Sequence, residues 1–470
     1  MPSGQGPSPS GNVDRAPHTD ALPPLGALPK DFIWGVSTSS FQIEGATAED
    51  GRGPSVWDTH CHQGLVANRD TGDIACDHYH RYPEDIALMQ RLGIQAYRFS
   101  VAWPRVLPSG RGPANEPGLA FYDRLIDALC AAGIEPWLCL YHWDLPQSLD
   151  DLGGWTNRDS VGWFADYAAL VAARYGDRVK RFATFNEPSI FTLFGLGFGS
   201  TDRDNVAIDA LHAAIHHINL SHGAAVDAIR AAVSGSSVGA IYNVQPCVPS
   251  APADGKAANR CDAYWNRVYP DPQCLGTYPD LLQPVLAPHI RPGDMARIQR
   301  PLDWFGLNHY SPVFARADAA ARLGFGFGDH PPGTPETPIG WPILPDAFCD
   351  ALLMVARTYR LPVYVLENGL GGHDKPDATG AVNDPERIAY LRAYIAAMNE
   401  AVASGANIRG YFVWSMLDNF EWDSGYASRF GLVYVDYPTQ RRIPKASFDW
   451  YHELIKRARG APELTAAGVN

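Results

Sequence analysis

Val363-Tyr364-Val365-Leu366-Glu367-Asn368-Gly369 reads as a β-strand, rich in β-branched and aromatic residues, that delivers one glutamate where a turn residue takes over. Thr184-Phe185-Asn186-Glu187-Pro188 repeats that arrangement far upstream, with a proline fixing the turn. Two carboxyl groups brought to strand ends from distant parts of a chain are the inventory that breaks a glycosidic bond. One gives a proton to the leaving oxygen, and the other attacks the anomeric carbon or activates a water. A lone glutamate at a strand end is usually a solvated loop charge; a second at an equivalent position argues for a shared pocket.

Outward from these two segments, strand and helix patterns alternate. Strands are expected at 32–36, 96–101, 137–143, 238–243, 302–308 and 408–414 besides the two that carry the glutamates. Helical spacing fills the intervals, as at Ile86, Met89 and Leu92, or from Leu119 to Ala132 before Gly133. Such alternation predicts a parallel sheet, and its extent predicts a single closed (β/α)8 TIM barrel. No Gly-rich phosphate fingerprint follows the first strand, which argues against a dinucleotide-binding sheet. Polar residues gather at C-terminal strand ends (Gln42, His142, Asn186, Glu187, Asn308, Glu367), the face where such barrels keep their chemistry. The glycosidase domain is placed at 31–460, after a Pro/Gly-rich disordered leader over 1–30 and before a C-terminal tail over 461–470.

With 46% hydrophobic residues among 470, the chain can build a large core. Its net charge of -13 argues against nucleic acid and anionic membranes as partners. No apolar run is long enough to span a bilayer. The leader lacks the basic start and apolar core of a signal peptide, so a cytoplasmic location is expected. Cys130, Cys139 and Cys349 sit in apolar patterns as small hydrophobes, whereas a disulfide among Cys247, Cys261 and Cys274 stays open. His60, Cys61, His62, Cys76, His78 and His80 are metal-ligand types without zinc spacing, so neither metal nor cofactor is expected.

From Phe32 to Arg459 the chain resembles glycoside hydrolase family one, the β-glucosidase group. The resemblance is carried in order by Phe32-Ile33-Trp34-Gly35, Ser40-Phe41-Gln42-Ile43-Glu44-Gly45, Asp77-His78-Tyr79-His80-Arg81-Tyr82 and Arg98-Phe99-Ser100 with Trp103-Pro104-Arg105. Tyr141-His142-Trp143-Asp144-Leu145-Pro146, Asn186-Glu187-Pro188, Asn308-His309-Tyr310 and Glu367-Asn368-Gly369 follow, then the run from Trp414 through Glu421-Trp422.

The resemblance implies Glu187 as acid and then base, Glu367 as nucleophile, and retention at the anomeric carbon. Arg98 would salt-bridge Glu367 and Tyr310 would orient it, with Trp143 in support. Gln42, His142, Asn186, Asn308, Glu421 and Trp422 would grip a non-reducing sugar stacked on Trp414. Trp341 is a candidate platform for the leaving group, with core packing as its rival. An acid at Glu421 would repel phosphate, which implies an unphosphorylated substrate: a small β-glycoside, glucoside first, with galactoside or fucoside as alternatives. Transglycosylation uses the same residues and stays open. An inert carbohydrate-binding barrel is disfavoured by the presence of both glutamates. A Schiff-base aldolase or a metal-dependent isomerase lacks its lysine or ligand cluster at the strand ends.

Five departures stand out. Leu366 replaces the hydroxyl residue usual before the nucleophile, and Phe41 and His309 replace tyrosines. Ser189-Ile190-Phe191 and Gly199-Ser200-Thr201-Asp202-Arg203-Asp204 are unusual after the acid, leaving the aglycone preference open.

Overall fold

The computed structural model describes residues 22–197 and 208–460. Eight strands close a parallel barrel: β1 (Ile33–Ser37), β2 (Ala96–Ser100), β3 (Glu135–Tyr141), β4 (Arg181–Asn186), β5 (Ser237–Asn243), β6 (Trp304–Asn308), β7 (Val363–Asn368) and β8 (Ile408–Trp414). Each strand pairs with its sequence neighbours, and β1 meets β8 with Ser37 beside Trp414. Long helices cover the outside, among them α1 (His78–Leu92), α2 (Glu116–Ala131), α3 (Ser160–Tyr175), α4 (Ile208–Ala232), α5 (Pro345–Tyr359), α6 (Pro385–Ala403) and α7 (Ala446–Ala458). Short helical turns replace a single long helix between β5 and β6.

Two hydrophobic layers follow from strand alternation. Odd and even residues of a strand face opposite sides, so Val363 and Val365 of β7 pack against helices while Tyr364 and Leu366 enter the lumen. The lumen cluster takes residues from every strand: Ile33, Ala96, Trp137, Cys139, Ala183, Ile241, Trp304, Tyr364, Leu366 and Phe412. Large rings there need small neighbours. A Cβ on Gly239 would stand 2.4 Å from the Trp304 ring, so glycine is required at that rung.

Trp137 is central to this layer, with ring centroids 5.3 Å from Trp304, 4.8 Å from Tyr364 and 5.3 Å from Phe412. Trp137→Ala is expected to cost about 3–5 kcal/mol, the usual penalty for deleting a buried aromatic side chain. Chemical denaturation of both proteins measures it, and a change under about 1 kcal/mol would contradict this packing.

Two small sheets were not foreseen in the strand alternation. Cys247–Pro249, Val313–Ala317 and Phe325–Phe327 form one, and the antiparallel pair Val433–Asp436 and Arg441–Pro444 the other. Ordered packing also begins ahead of residue 31. Leu22, Leu25 and Leu28 lie against the core, and Asn399 accepts from the Ala27 N–H. The rest of the expected leader, the tail over 461–470 and the stretch from Gly199 to Asp204 lie outside the described residues.

Candidate active site

Glu187 and Glu367 each follow a break in strand register. Since Leu366 faces the lumen, strict alternation would turn Glu367 out toward the helices. The pairing of β7 with β6 shifts between Val365 and Glu367, and its pairing with β8 shifts between Val365 and Asn368. The extra residue re-aims the side chain inward, as β-bulges beside active sites do. The pairing of β4 with β5 shifts likewise between Ala183 and Asn186. Glu187 then adopts φ 49°, in the left-handed region that non-glycine residues seldom occupy, before Pro188 opens a short helix. Trp143 (φ 76°) and Trp422 (φ 49°) share that conformation at the same site.

The glutamates are 4% and 3% exposed and face different chemistry. Arg98 donates to Glu367 Oε1 at 2.7 Å, and the Tyr310 hydroxyl donates to Oε2 at 2.6 Å. Among the described residues no cation pairs directly with Glu187, and the Arg98 charge acts on it only as a minor influence. Its Oε1 accepts from the side-chain amides of Asn243 at 2.9 Å and Asn308 at 2.8 Å. Burial pushes the Glu187 carboxyl up to about 8, helped by the negative Glu367. Burial also raises Glu367, opposed first by the Arg98 charge and then by the Tyr310 hydrogen bond. With one proton between them, the proton belongs on Glu187 and the charge on Glu367.

A chain of polar contacts ties the two together. Arg98 also donates to Asn186 Oδ1, which accepts from Asn308 at 3.1 Å. The other N–H of the Asn308 amide donates to Glu187 Oε1, which closes the chain from one carboxyl to the other. Arg98 lies 3.4 Å from His142 Nδ1, and burial together with that positive neighbour keeps the imidazole neutral. Trp143 donates to the Asn186 carbonyl at 3.1 Å.

The opposite wall comes from the loop after β8. Gln42 Nε2 donates to Asn419 Oδ1 at 3.0 Å and lies 3.3 Å from Glu421 Oε2. Burial and the negative Glu367 push Glu421 up to about 8. Asp418 anchors this loop, accepting from buried Lys445 at 2.7 Å and from Arg429 at 2.7 Å. The His142 ring is roughly parallel to both Trp414 and Trp422, with centroids 5.8 Å away in each case. Trp422 also stacks on Trp143 at 4.6 Å and on Phe41 at 6.0 Å. Trp341 stands at the rim, 37% exposed, with its ring 5.4 Å from Tyr310. A rim position with open surface suits a platform better than a core residue.

Among the departures, Leu366 fills the lumen, and His309 is buried with Nδ1 donating to the Val244 carbonyl at 2.7 Å. The histidines that resembled a metal set are divided among separate carboxylates. His60 meets Asp423, His62 Asp73, His78 Asp85 and His80 both Asp77 and Glu49. The described residues contain no group of three or more His, Cys, Asp or Glu arranged to hold a metal ion. All eight cysteines are free thiols, and the sulfurs of Cys247 and Cys261 are 3.1 Å apart. Sequence reading passed over Asn243, although the β5 pattern ends on it as the other strands end on polar residues. Trp265, which contacts Asn243, carries no local signal of a role at all.

Gly369 shows why glycine follows the Glu-Asn pair. A Cβ there would stand 1.8 Å from the Trp414 carbonyl oxygen, where β7 and β8 deliver Glu367 and Trp414 side by side. Gly369→Ala is expected to push these strand ends apart and lower kcat/KM about 10²-fold, the scale of an ångström-sized misplacement. Steady-state kinetics check this, with circular dichroism as the folding control; unchanged kinetics would mean the rim yields freely.

A carboxyl pair of unequal protonation, walled by aromatic rings and hydrogen-bonding side chains on the C-terminal rim of a (β/α)8 barrel, defines the class of O-glycosyl hydrolases. The chain belongs to Glycosyl hydrolase family 1, whose sequence model matches residues 25–460. It is 44% identical over 447 residues to thermostable beta-glucosidase B of Thermobispora bispora, covering 92% of this chain and 91% of that protein. It is 42% identical over 458 residues to a bifunctional beta-D-glucosidase/beta-D-fucosidase of Bifidobacterium breve, covering 91% and 98%. The crystal structure of psychrophilic beta-glucosidase BglU from Micrococcus antarcticus superposes with a TM-score of 0.88 at 40% identity, covering 92% of this chain and 98% of that one.

Proposed function

We propose that this protein is a retaining β-glycosidase that removes terminal non-reducing β-D-glucosyl residues from small glycosides and short oligosaccharides. The observation that carries the reading is the unequal setting of the two glutamates. Glu367 is held ionised by a guanidinium and a phenol, and Glu187 sits among neutral amides. An ionised carboxylate is a nucleophile and a protonated one is an acid. The short bridge of contacts from Glu367 through Arg98, Asn186 and Asn308 to Glu187 favours the close spacing of retaining enzymes, about 5–5.5 Å, over the wider gap that must admit a water.

In the first step Glu367 attacks the anomeric carbon as Glu187 protonates the departing oxygen. Esterification removes the negative charge beside Glu187, so its carboxyl becomes more acidic at the stage when it must serve as a base. It then takes a proton from water, which attacks the anomeric carbon and releases Glu367. Asn186, His142, Gln42 and Glu421 supply donors and acceptors for sugar hydroxyls, with Trp414 beneath the ring and Trp341 on the leaving-group side. β-Fucoside cleavage is the second reading, favoured by the Bifidobacterium breve relative named for both activities. Capture of the same intermediate by an alcohol would give transglycosylation.

The reading further places catalysis in one domain over 31–460 and the protein in the cytoplasm, where the buried thiols Cys61, Cys76, Cys139 and Cys261 would stay reduced. The described residues include no helix long and apolar enough to cross a membrane. The first test is hydrolysis of an aryl β-glucoside followed by NMR. Initial release of β-glucose supports the reading, and initial α-glucose would overturn it.

The pH dependence follows from the carboxyl pair. The acid must carry its proton, and Glu187 releases it near pH 8. kcat/KM should hold below that point and fall tenfold per unit above it. On the acid side activity fades as Glu367 takes up a proton, at a pH raised by burial above the ordinary carboxylate range. Glu187→Gln should remove the basic limb. A limb that persists in the variant would assign it to another group.

A further inference from the structure

We propose that Trp265 is a positioning residue for the acid, acting through Asn243 to fix which oxygen of Glu187 carries the proton; this rests on the reading of Glu187 as proton donor. A carboxylic acid can hold its proton on either oxygen, and only the oxygen facing the glycosidic bond is useful. Two amide N–H groups converge on Glu187 Oε1, so that oxygen is an acceptor and the proton is left to Oε2. An amide turned over would present its carbonyl instead, drawing the proton to the wrong oxygen and repelling the ionised form. Amide orientation therefore decides where the proton sits.

Each amide is oriented by contacts that lead back to a group that can only donate, directly for Asn243 and through Asn186 for Asn308. Asn308 is fixed from the Arg98 side: the guanidinium donates to Asn186 Oδ1, and the Asn308 amide N–H donates to that same oxygen at 3.1 Å. Asn243 is fixed from the other side by the Trp265 indole N–H, which donates to its Oδ1 at 2.9 Å. An indole has no acceptor to offer, so this contact forces the Asn243 N–H groups toward Glu187. Trp265 is itself well seated. It is buried in the helical turn Ala263–Arg267 and meets Phe194 and Phe327 edge-on at 6.0 and 6.1 Å.

The test uses the full-length enzyme with Trp265→Phe, which keeps an aromatic ring and loses the N–H. kcat/KM is measured against pH for 2,4-dinitrophenyl β-glucoside, whose leaving group needs no proton, and for phenyl β-glucoside, which needs one. The expected result is a loss of about tenfold for the phenyl substrate and within twofold for the dinitrophenyl one, with the basic limb moved to higher pH because the carboxylate has lost a donor. Retained dinitrophenyl activity also reports that the variant is folded.

Asn243→Ala should reproduce the pattern, and the double variant should lose no more than Asn243→Ala alone. Equal losses on both substrates, an unmoved pH limb, or additive losses in the double variant would each overturn the proposal. If Trp265→Phe does not fold, the leaving-group dependence of Asn243→Ala decides, and an even loss there overturns it too. Glu187→Ala run alongside separates the two layers: should it show no leaving-group dependence, the assignment of the acid fails before that of Trp265.

Discussion

Glu367→Gly is expected to reduce hydrolysis of every β-glucoside by on the order of 10⁵–10⁶-fold, the size seen when a covalent nucleophile is deleted. The loss should not depend on the leaving group, because no substrate can bypass formation of the glycosyl-enzyme. What remains at the site sharpens the prediction. Arg98 and Tyr310 lose the carboxylate between them and face a small cavity lined by a cation and a hydroxyl. Such a cavity attracts a small anion. Added azide should occupy it and attack the anomeric carbon from the face that Glu367 used. One carbon–nitrogen bond forms as the glycosidic bond breaks and Glu187 protonates the leaving oxygen, so the product is the α-glucosyl azide. The variant should also be less stable, since a buried guanidinium without its counter-ion costs about 3–5 kcal/mol. NMR of the azide product and chemical denaturation measure the two effects. Residual hydrolysis near wild-type levels would remove Glu367 from its role.

How the glutamates reach a common cavity also shows what a sequence can and cannot reveal. The eight strands were legible because barrel strands are buried on both faces and read as dense apolar runs with turn residues behind them. Polar residues at the strand ends pointed to the working rim. The bulges were not legible. Val363 to Asn368 carries no mark of where alternation breaks, and counted strictly from Leu366 it sends Glu367 to the wrong side of the sheet. Register is a property of pairing between strands, which no single strand displays. The hairpin at Val433–Pro444 escaped for a related reason: its place is set by Asp418, whose partners Arg429 and Lys445 lie beyond local reach. Trp265 belongs here too. It lies among short helical turns that a periodicity reading blurs together, and its role rests on one hydrogen bond to a strand end 22 residues earlier. The histidines over 60–80 show the converse. Residue types alone looked like a metal set, yet separate carboxylates claim each ring.

Glu187→Ala should divide substrates by the basicity of what leaves. Protonation by a placed acid contributes about 10²–10⁴-fold. Alkyl glucosides and cellobiose, whose departing alkoxides need the proton most, should therefore lose activity near the upper end of that range. For 2,4-dinitrophenyl β-glucoside the first step should be nearly intact, because Glu367 keeps both of its partners and the phenolate leaves unaided. The second step should then fail, since no base remains to deprotonate water, and the covalent glycosyl-enzyme should accumulate to a level visible by mass spectrometry of the intact protein. Azide needs no base. Entering through the space vacated by the carboxyl, beside the amides of Asn243 and Asn308, it should attack the intermediate from the face opposite Glu367 and expel that carboxylate. The product is the β-glucosyl azide, the opposite anomer to that expected from Glu367→Gly. Opposite anomers from the two variants would place the two carboxyls on opposite faces of one sugar. The same anomer from both would mean that at least one glutamate acts from the wrong side, and the double-displacement reading would fall with it.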